Sequence, residues 1–142
     1  MSVLFQIMLG SAILIGCTLI HIASMIWLVR RLRAGQASFE RVSVRRTFVV
    51  SSAIVFVLIL SHTVHLYIWA FSLWLLGALQ GHEAPIYFAL VTYTTVGYGD
   101  VTLGPAFRIF GAMASVNGIL SFGLTTAFLV ALIPKMFEAL RE

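Results

Sequence analysis

Three apolar stretches, each long enough to cross a lipid bilayer, most constrain the fold of this chain. They cover residues 3–29, 48–79 and 107–137 of the 142-residue sequence. Because a membrane span needs about 20 apolar residues, each stretch predicts a transmembrane helix. With 61% hydrophobic residues, 10% charged residues and a mean hydropathy of +1.03, the chain has no length left for a soluble domain. The sequence therefore predicts an all-α integral membrane protein built as a single membrane domain.

The basic residues indicate which side of the membrane each loop faces. Between the first and second stretches the only acidic residue is Glu40. Six arginines lie in or beside the same region: Arg30, Arg31, Arg33, Arg41, Arg45 and Arg46. Because cytoplasmic loops carry an excess of Lys and Arg, residues 31–46 are predicted to form a basic cytoplasmic loop. The N-terminus and residues 80–106 are then outside, and the C-terminus is in the cytoplasm.

The same arginines are not arranged as a voltage sensor. A sensor would place a cationic residue at every third position of an apolar helix. Here two clusters are separated by the turn-prone residues 34–38. A role in topology and contact with anionic lipid explain them better. Lys135 and Arg141 near the C-terminus agree with this orientation, and Arg108 is an exception.

The segment before the third stretch carries the most specific motif of the chain. It reads Thr95-Val96-Gly97-Tyr98-Gly99-Asp100. Consecutive main-chain carbonyls that all face one axis can replace the water shell of a dehydrated cation. Such a backbone needs angles that ordinary residues resist, and Gly97 and Gly99 remove that penalty. The basic residues place this loop outside without any use of the motif, so two independent observations agree.

A short re-entrant helix is predicted immediately before this loop. Glu83-Ala84-Pro85 suits its first turn, because proline lacks an N–H that would be unpaired there and an acid complements the helix dipole. Residues 86–94 then supply about two and a half turns, which is too short to cross a membrane. The chain is expected to enter the membrane, turn and return through the loop. Three aromatic residues are expected to pack behind that loop: Tyr87, Phe88 and Tyr93.

Together, the second stretch, the short helix, the loop and the third stretch resemble the pore of potassium channels, in its two-transmembrane bacterial form. The resemblance covers residues 47–137. It implies a potassium-selective channel that conducts K⁺ passively through a selectivity filter of backbone carbonyls. By that resemblance, the ions are coordinated by the Thr95 hydroxyl and by the carbonyls of Thr95, Val96, Gly97 and Tyr98.

The resemblance also implies a set of residues that support the filter. Asp100 corresponds to the acid that hydrogen-bonds behind the filter to an aromatic residue of the pore helix. Tyr87 holds that aromatic position here, and Thr94 belongs to the same supporting set. Val91 stands where some relatives carry a glutamate, so a carboxyl–carboxylate pair is not expected.

Residues 118–127 of the third stretch are similar to the inner helix of simple bacterial potassium channels. Gly118 corresponds to a hinge glycine. Three residues, spaced so that they share one helical face, correspond to cavity-lining positions: Ile119, Phe122 and Thr126. Helix packing is the other interpretation of this stripe, with Gly118 and Gly123 in close helix contact, but its position after a filter favours the pore. Pro134 is expected to bend or end the helix.

One filter segment cannot enclose a pore, so we expect a homotetramer with cyclic symmetry. The predicted parts are an additional N-terminal transmembrane helix over 1–30, the loop over 31–46, the pore domain over 47–137 and a short cytoplasmic tail over 138–142. The additional helix is expected to pack outside the outer helix, facing lipid. The expected location is the plasma (cell inner) membrane, with K⁺ and lipid as partners and with no nucleic acid, cofactor or enzymatic activity.

Three histidines fall inside the predicted spans: His21, His62 and His65. An ionisable group within a membrane is costly and suggests a function. Three interpretations are open: neutral histidines hydrogen-bonded to a neighbouring helix, a pH sensor that acts on the gate through His62 and His65, and a metal or haem site of a membrane redox protein. The last also requires His21 at the same depth. Asn117 is expected to bond across helices in preference to facing the cavity.

Overall fold

The computed structural model describes residues 1–36 and 43–138, and these form four α-helices without a β-strand. The helices are α1 (Val3–Gln36), α2 (Val44–Leu75), α3 (Glu83–Tyr93) and α4 (Arg108–Glu138). Three segments are long and apolar enough to cross a membrane: Val3–Ala34, Val44–Leu75 and Arg108–Pro134. The predicted all-α membrane fold is therefore confirmed. Glu40, Arg41 and Arg141, which bear on the orientation, lie outside the described residues.

The helix α2 ends at Leu75, earlier than the apolar stretch predicts. The Gly77 amide donates to the Trp74 carbonyl and the Ala78 amide donates to the Leu73 carbonyl, each at 3.0 Å. This pair of bonds closes a helix when the residue after the cap has a left-handed backbone, and Gly77 has a φ of +68°. Local turn chemistry thus overrides the apolar character of residues 76–79.

Pro134 does not end α4. The helix continues through Pro134 to Glu138, so of the expected bend or end the structure excludes the end, and a bend stays a prediction. A proline removes one main-chain hydrogen bond, but the bonds of the turns on either side hold the helix together. Membrane helices tolerate such an interruption more readily than soluble ones.

The main core lies where α3 packs against α2 and α4. Its buried members are Trp69, Ala70, Leu73, Ala89, Tyr93, Phe110 and Ala114. The helix α3 has 11 residues, and an isolated helix below about 12 residues is marginal in water. Its position therefore depends on this packing.

The helix α1 packs against α4 as well as against the outer helix α2. The contact with α4 is anchored by Gln6, whose side chain is 1% exposed. Its Oε1 accepts hydrogen bonds from the amides of Ile109 at 3.1 Å and Phe110 at 3.2 Å. Amides in the first turn of a helix have no partner within that helix. Gln6 therefore caps α4 from another helix. The expectation that α1 packs outside the outer helix is incomplete, because α1 also contacts α4.

Candidate functional site

In the loop after α3, the sign of the backbone φ angle alternates from one residue to the next. The φ angle is +61° at Thr95, +54° at Gly97 and +80° at Gly99, whereas Val96 and Tyr98 between them have no positive φ. Alternation of this kind turns successive peptide groups the same way, whereas in a β-strand they alternate. Thr95 adopts the left-handed region in spite of its branched side chain, which is a strain typical of functional loops.

Two amides tie this loop to the end of α3. The Thr95 amide donates to the Thr92 carbonyl and the Gly97 amide donates to the Val91 carbonyl, each at 3.0 Å. The Thr94 hydroxyl donates to the Leu90 carbonyl at 2.7 Å, so it pairs a carbonyl at the end of α3 and not a group of the loop. The amides of Thr95 and Gly97 are therefore engaged on the side of α3.

The side chains of the loop are not covered by their own chain. Tyr98 is 74% exposed and Val96 is 51% exposed. Neighbouring apolar side chains at this exposure are typical of a surface that another molecule covers.

Tyr87 and Asp100 are joined by a hydrogen bond between α3 and the far end of the loop. The Tyr87 hydroxyl donates to Asp100 Oδ2 at 2.6 Å. Because this bond stabilises the carboxylate, it holds the pKa of Asp100 below its ordinary value and raises the pKa of Tyr87. The Asp100 carboxylate is therefore ionised at neutral pH and restrains the loop.

Replacing Tyr87 by phenylalanine is expected to weaken this restraint in a pH-dependent way. A depressed folded pKa contributes stability that is present above the ordinary carboxyl pKa and is lost as the pH falls through the folded pKa. Thermal unfolding of reconstituted protein should thus show a lower midpoint for Tyr87→Phe at neutral pH, and the difference should shrink in acid. Tyr67→Phe is the matched control, because Tyr67 is an exposed tyrosine of α2. A deficit of Tyr87→Phe that stays constant with pH would contradict this prediction.

The helix α4 approaches the end of α3 at Gly118. A Cβ atom added there would overlap the Tyr93 carbonyl oxygen and lie 2.9 Å from the Tyr93 carbonyl carbon. A Cβ atom added at Gly123 would meet nothing within 4 Å. Of the two glycines considered for close helix contact, only Gly118 makes one within this chain.

The residues that correspond to cavity-lining positions lie on the side of α4 that this chain leaves largely open. Ile119 is 63% exposed and Thr126 is also exposed. Phe122 is 42% exposed, and its ring stacks on His62 with centroids 4.5 Å apart. Phe122 therefore touches α2, and lining of a cavity by the three residues stays a prediction.

His21, His62 and His65 come together inside the helix bundle. The ring centroid of His21 lies 5.0 Å from that of His62 and 5.5 Å from that of His65, and the centroids of His62 and His65 are 6.3 Å apart. His21 and His65 are fully buried. The structure therefore places the histidine of α1 at the same depth as the two of α2.

His21 is bonded to hydroxyl groups on two other helices. Its Nδ1 lies 2.9 Å from the Ser61 hydroxyl of α2, and its Nε2 lies 2.9 Å from the Thr125 hydroxyl of α4. His62 shares the second partner, with its Nε2 at 3.0 Å from Thr125. One threonine hydroxyl thus joins two imidazoles.

His62 and His65 share a second hydroxyl, that of Tyr93. The His62 Nδ1 lies 2.9 Å and the His65 Nδ1 lies 3.1 Å from it. The Ser121 hydroxyl makes a longer contact of 3.4 Å with the same nitrogen of His65. The His65 Nε2 is buried without a hydrogen-bond partner among the described residues. Because Tyr93 is the last residue of α3, the cluster joins all four helices just before the loop.

Within the described part of the chain, no group of three or more His, Cys, Asp or Glu residues is arranged to hold a metal ion. Five of the six ring nitrogens of the cluster contact hydroxyl groups. The geometry therefore matches histidines hydrogen-bonded to neighbouring helices, which is one of the three interpretations drawn from the sequence.

The hydroxyl partners of the histidines were not predicted from the sequence. Asn117, Ser121 and Thr125 recur at every fourth residue of α4, and Ser61 and His65 have the same spacing on α2. Residues four apart share a helical face. A polar stripe in an otherwise apolar helix was the signal that could have identified them.

Asn117 makes the cross-helix bond that the sequence predicts. Its Oδ1 accepts from Trp69 Nε1 at 2.8 Å, and its Nδ2 donates to the Ser121 hydroxyl at 3.2 Å. Asn117 and Trp69 are fully buried. This bond fixes α4 to α2 beside the histidine cluster.

Comparisons with known proteins assign part of the chain to a family. A family model described as Ion channel matches residues 47–135, which run from α2 into the last turns of α4. The chain is also similar to the Potassium voltage-gated channel protein shk-1 of Caenorhabditis elegans, with 45% identity over 49 residues. The match covers 34% of this chain and only 9% of that relative. No solved structure matches the chain significantly.

Proposed function

This chain belongs to the ion channel family, and we propose that it is a potassium-selective channel that conducts K⁺ passively through main-chain carbonyl oxygens. The observation that carries the proposal is the alternation of left-handed backbone at Thr95, Gly97 and Gly99. A K⁺ ion loses its hydration shell only where several oxygens replace it at once. A loop with two amides engaged toward α3 can offer its carbonyls to such an ion.

Four residues would coordinate the ions in this proposal, through their carbonyls and through the Thr95 hydroxyl: Thr95, Val96, Gly97 and Tyr98. The negative end of the α3 dipole lies beside them and favours a cation. The bond between Tyr87 and Asp100 and the end of α3 at Thr94 support the loop from behind. The open face of α4 would line the cavity below with Ile119, Phe122 and Thr126.

A homotetramer is part of the proposal, because one loop supplies only one side of a ring. The uncovered side chains of Val96 and Tyr98 support it, since neighbouring copies would bury them. The open face of α4 is explained in the same way, because it would surround a water-filled cavity. In this assembly Gly118 serves as the close contact between α4 and α3, and as the hinge that the family resemblance implies.

The orientation and location also belong to the proposal. The arginines near the end of α1 and the start of α2 support an orientation in the plasma (inner) membrane in which those helix ends and the C-terminus face the cytoplasm and the N-terminus faces outside. The loop then opens to the outside. Transport follows the electrochemical gradient of K⁺, without an enzymatic step or a cofactor.

The test is the reversal potential of purified full-length protein reconstituted in lipid vesicles or planar bilayers. Under opposed gradients of K⁺ and Na⁺, the reversal potential should follow the K⁺ gradient. Chemical crosslinking of the same material should end at the tetramer. A reversal potential that ignores an exchange of K⁺ for Na⁺, or crosslinking that ends at the monomer, would overturn the proposal.

A further inference from the structure

We propose that His21, His62 and His65 form a binding site for one proton, which the three imidazoles share, and that the bound proton lowers K⁺ conduction. The first half of this inference concerns proton binding alone. The second half rests on the proposed function. The site uses hydroxyl groups that no comparison assigns and a histidine of α1, which lies outside the segment matched by the family model.

Hydrogen bonds link hydroxyl and imidazole groups alternately into one series, the hydrogen-bonded chain. Its order is Ser61, His21, Thr125, His62, Tyr93 and His65, and every link measures between 2.9 and 3.1 Å. A hydroxyl donates one hydrogen bond and can accept others, whereas a neutral imidazole has one nitrogen that donates and one that accepts. The proton positions along the chain are therefore linked.

Two arrangements satisfy the chain when all three histidines are neutral. In one, every donor points from Ser61 toward His65, and the His65 Nε2 carries a proton. In the other, every donor points from His65 toward Ser61, and the His65 Nε2 is bare. Each arrangement leaves that one buried nitrogen without a partner among the described residues.

One additional proton, taken from water, fits the same heavy-atom positions. With the proton on His62, both of its nitrogens donate hydrogen bonds, one to the Tyr93 hydroxyl and one to the Thr125 hydroxyl. The Tyr93 hydroxyl then donates to His65, and the Thr125 hydroxyl donates to His21. Moving the charge to His21 or His65 requires only that protons shift along the same links. All internal links remain satisfied in each case, so the proton belongs to the cluster and not to one residue.

A second proton does not fit. It would make two imidazoles donate toward one hydroxyl. It would also place two positive charges at ring centres 5.0 to 6.3 Å apart in a medium of low dielectric constant. The cluster therefore binds one proton per chain.

No described carboxylate offsets this charge. The titratable groups that face the cluster are His21 and the Cys17 thiol of α1, His62 and His65 of α2, and Tyr93 of α3. From α4, the described residues that contact the cluster are Thr125, Ser121 and Phe122, and none of them carries a charge. The two acids with described side chains, Glu83 and Asp100, lie at the start of α3 and beyond the loop.

The bound proton acts on conduction through its charge. Tyr93 is the last residue of α3 and lies two positions before Thr95, the first coordinating residue of the proposed filter. A positive charge there opposes the negative end of the α3 dipole, and the interior of the protein screens it much less than salt water does. In a tetramer four such charges surround the path of the ion. Because the heavy atoms do not move, K⁺ conduction should fall while the selectivity for K⁺ over Na⁺ is unchanged.

The binding half is tested by imidazole nitrogen NMR of the reconstituted full chain between about pH 8 and about pH 4, on both sides of the ordinary histidine pKa of about 6.5. The signals of the three histidines should change together and account for one proton per chain. The variant His62→Gln removes the central imidazole of the hydrogen-bonded series, so His21 and His65 should titrate separately in it. Uptake of three protons, or none, in the unsubstituted protein would overturn the site.

The conduction half is tested by K⁺ current over the same pH range. Current should fall with acid severalfold in the unsubstituted protein and in His82→Gln, and should not vary in the triple variant His21→Gln, His62→Gln, His65→Gln. If a shared proton is seen by NMR while current ignores pH, control of conduction is refuted and the site stands. Absence of K⁺ current at every pH contradicts the proposed function and the conduction half, and the NMR titration then decides by itself whether the site binds its proton.

Discussion

Replacing Gly97 by alanine is expected to abolish K⁺ conduction. Gly97 has a φ of +54°, and an added Cβ atom would meet nothing within 4 Å, so crowding is not the cause. An L-residue in this left-handed region costs about 1–2 kcal/mol, which becomes about 4–8 kcal/mol over four chains. Relief of that strain requires the peptide to rotate, and its carbonyl then leaves the ring. The measurement is K⁺ current through reconstituted protein at a known protein-to-lipid ratio.

Gly77→Ala is the matched control for this strain. Gly77 has a φ of +68° and open space around it, but it lies after α2 and far along the chain from the loop. Its substitution should lower stability by a similar amount per chain and leave K⁺ selectivity unchanged. Ordinary K⁺ currents from Gly97→Ala would show that the carbonyl of this residue does not take part in conduction.

Replacing Gly118 by alanine is expected to displace the filter from beneath. The new methyl group would overlap the carbonyl oxygen of Tyr93, which is a main-chain atom that cannot rotate away. Overpacking a tight core costs about 1–3 kcal/mol or more per site. Because Tyr93 also holds the hydroxyl shared by His62 and His65, the displacement would disturb that cluster. The proposed tetramer should dissociate at a lower temperature, and K⁺ current should be lost.

Gly123→Ala is the control on the same helix, because its added methyl group has open space. It should retain both the tetramer and the current, since alanine is also the better helix former. A Gly118→Ala protein that keeps its thermal stability and changes only the fraction of time it is open would contradict the role in close contact and leave only the proposed role as a hinge.

Much of the fold follows from the sequence, since three apolar stretches predict three long helices and all three are present. The resemblance of the loop to the potassium channel pore-loop family is confirmed by the family match. The predicted end of α2 was wrong for a local reason, because the bonds around Gly77 end the helix at Leu75. The predicted third stretch, over residues 107–137, agrees closely with α4 at Arg108–Glu138.

The histidine cluster could be predicted only in part. The spacing of His62 and His65 puts them on one face, but the depth of His21 depends on how α1 is placed against α2 and α4. Helices longer than the bilayer is thick can shift or tilt, so apolar length does not fix that placement. It is set by particular contacts such as the one from Gln6 to α4. The pairing of Tyr87 with Asp100 was expected because the family resemblance implies it.

The amide cap that Gln6 places on α4 has a consequence for any minimal version of this protein. A fragment cut to residues 47–135, the region shared with the wider family, would begin its inner helix with two bare donors in an apolar setting. It would also separate the Thr125 hydroxyl from His21. The smallest autonomous unit of this protein is therefore larger than the family segment, and transplanting the pore into another scaffold should require α1 to travel with it.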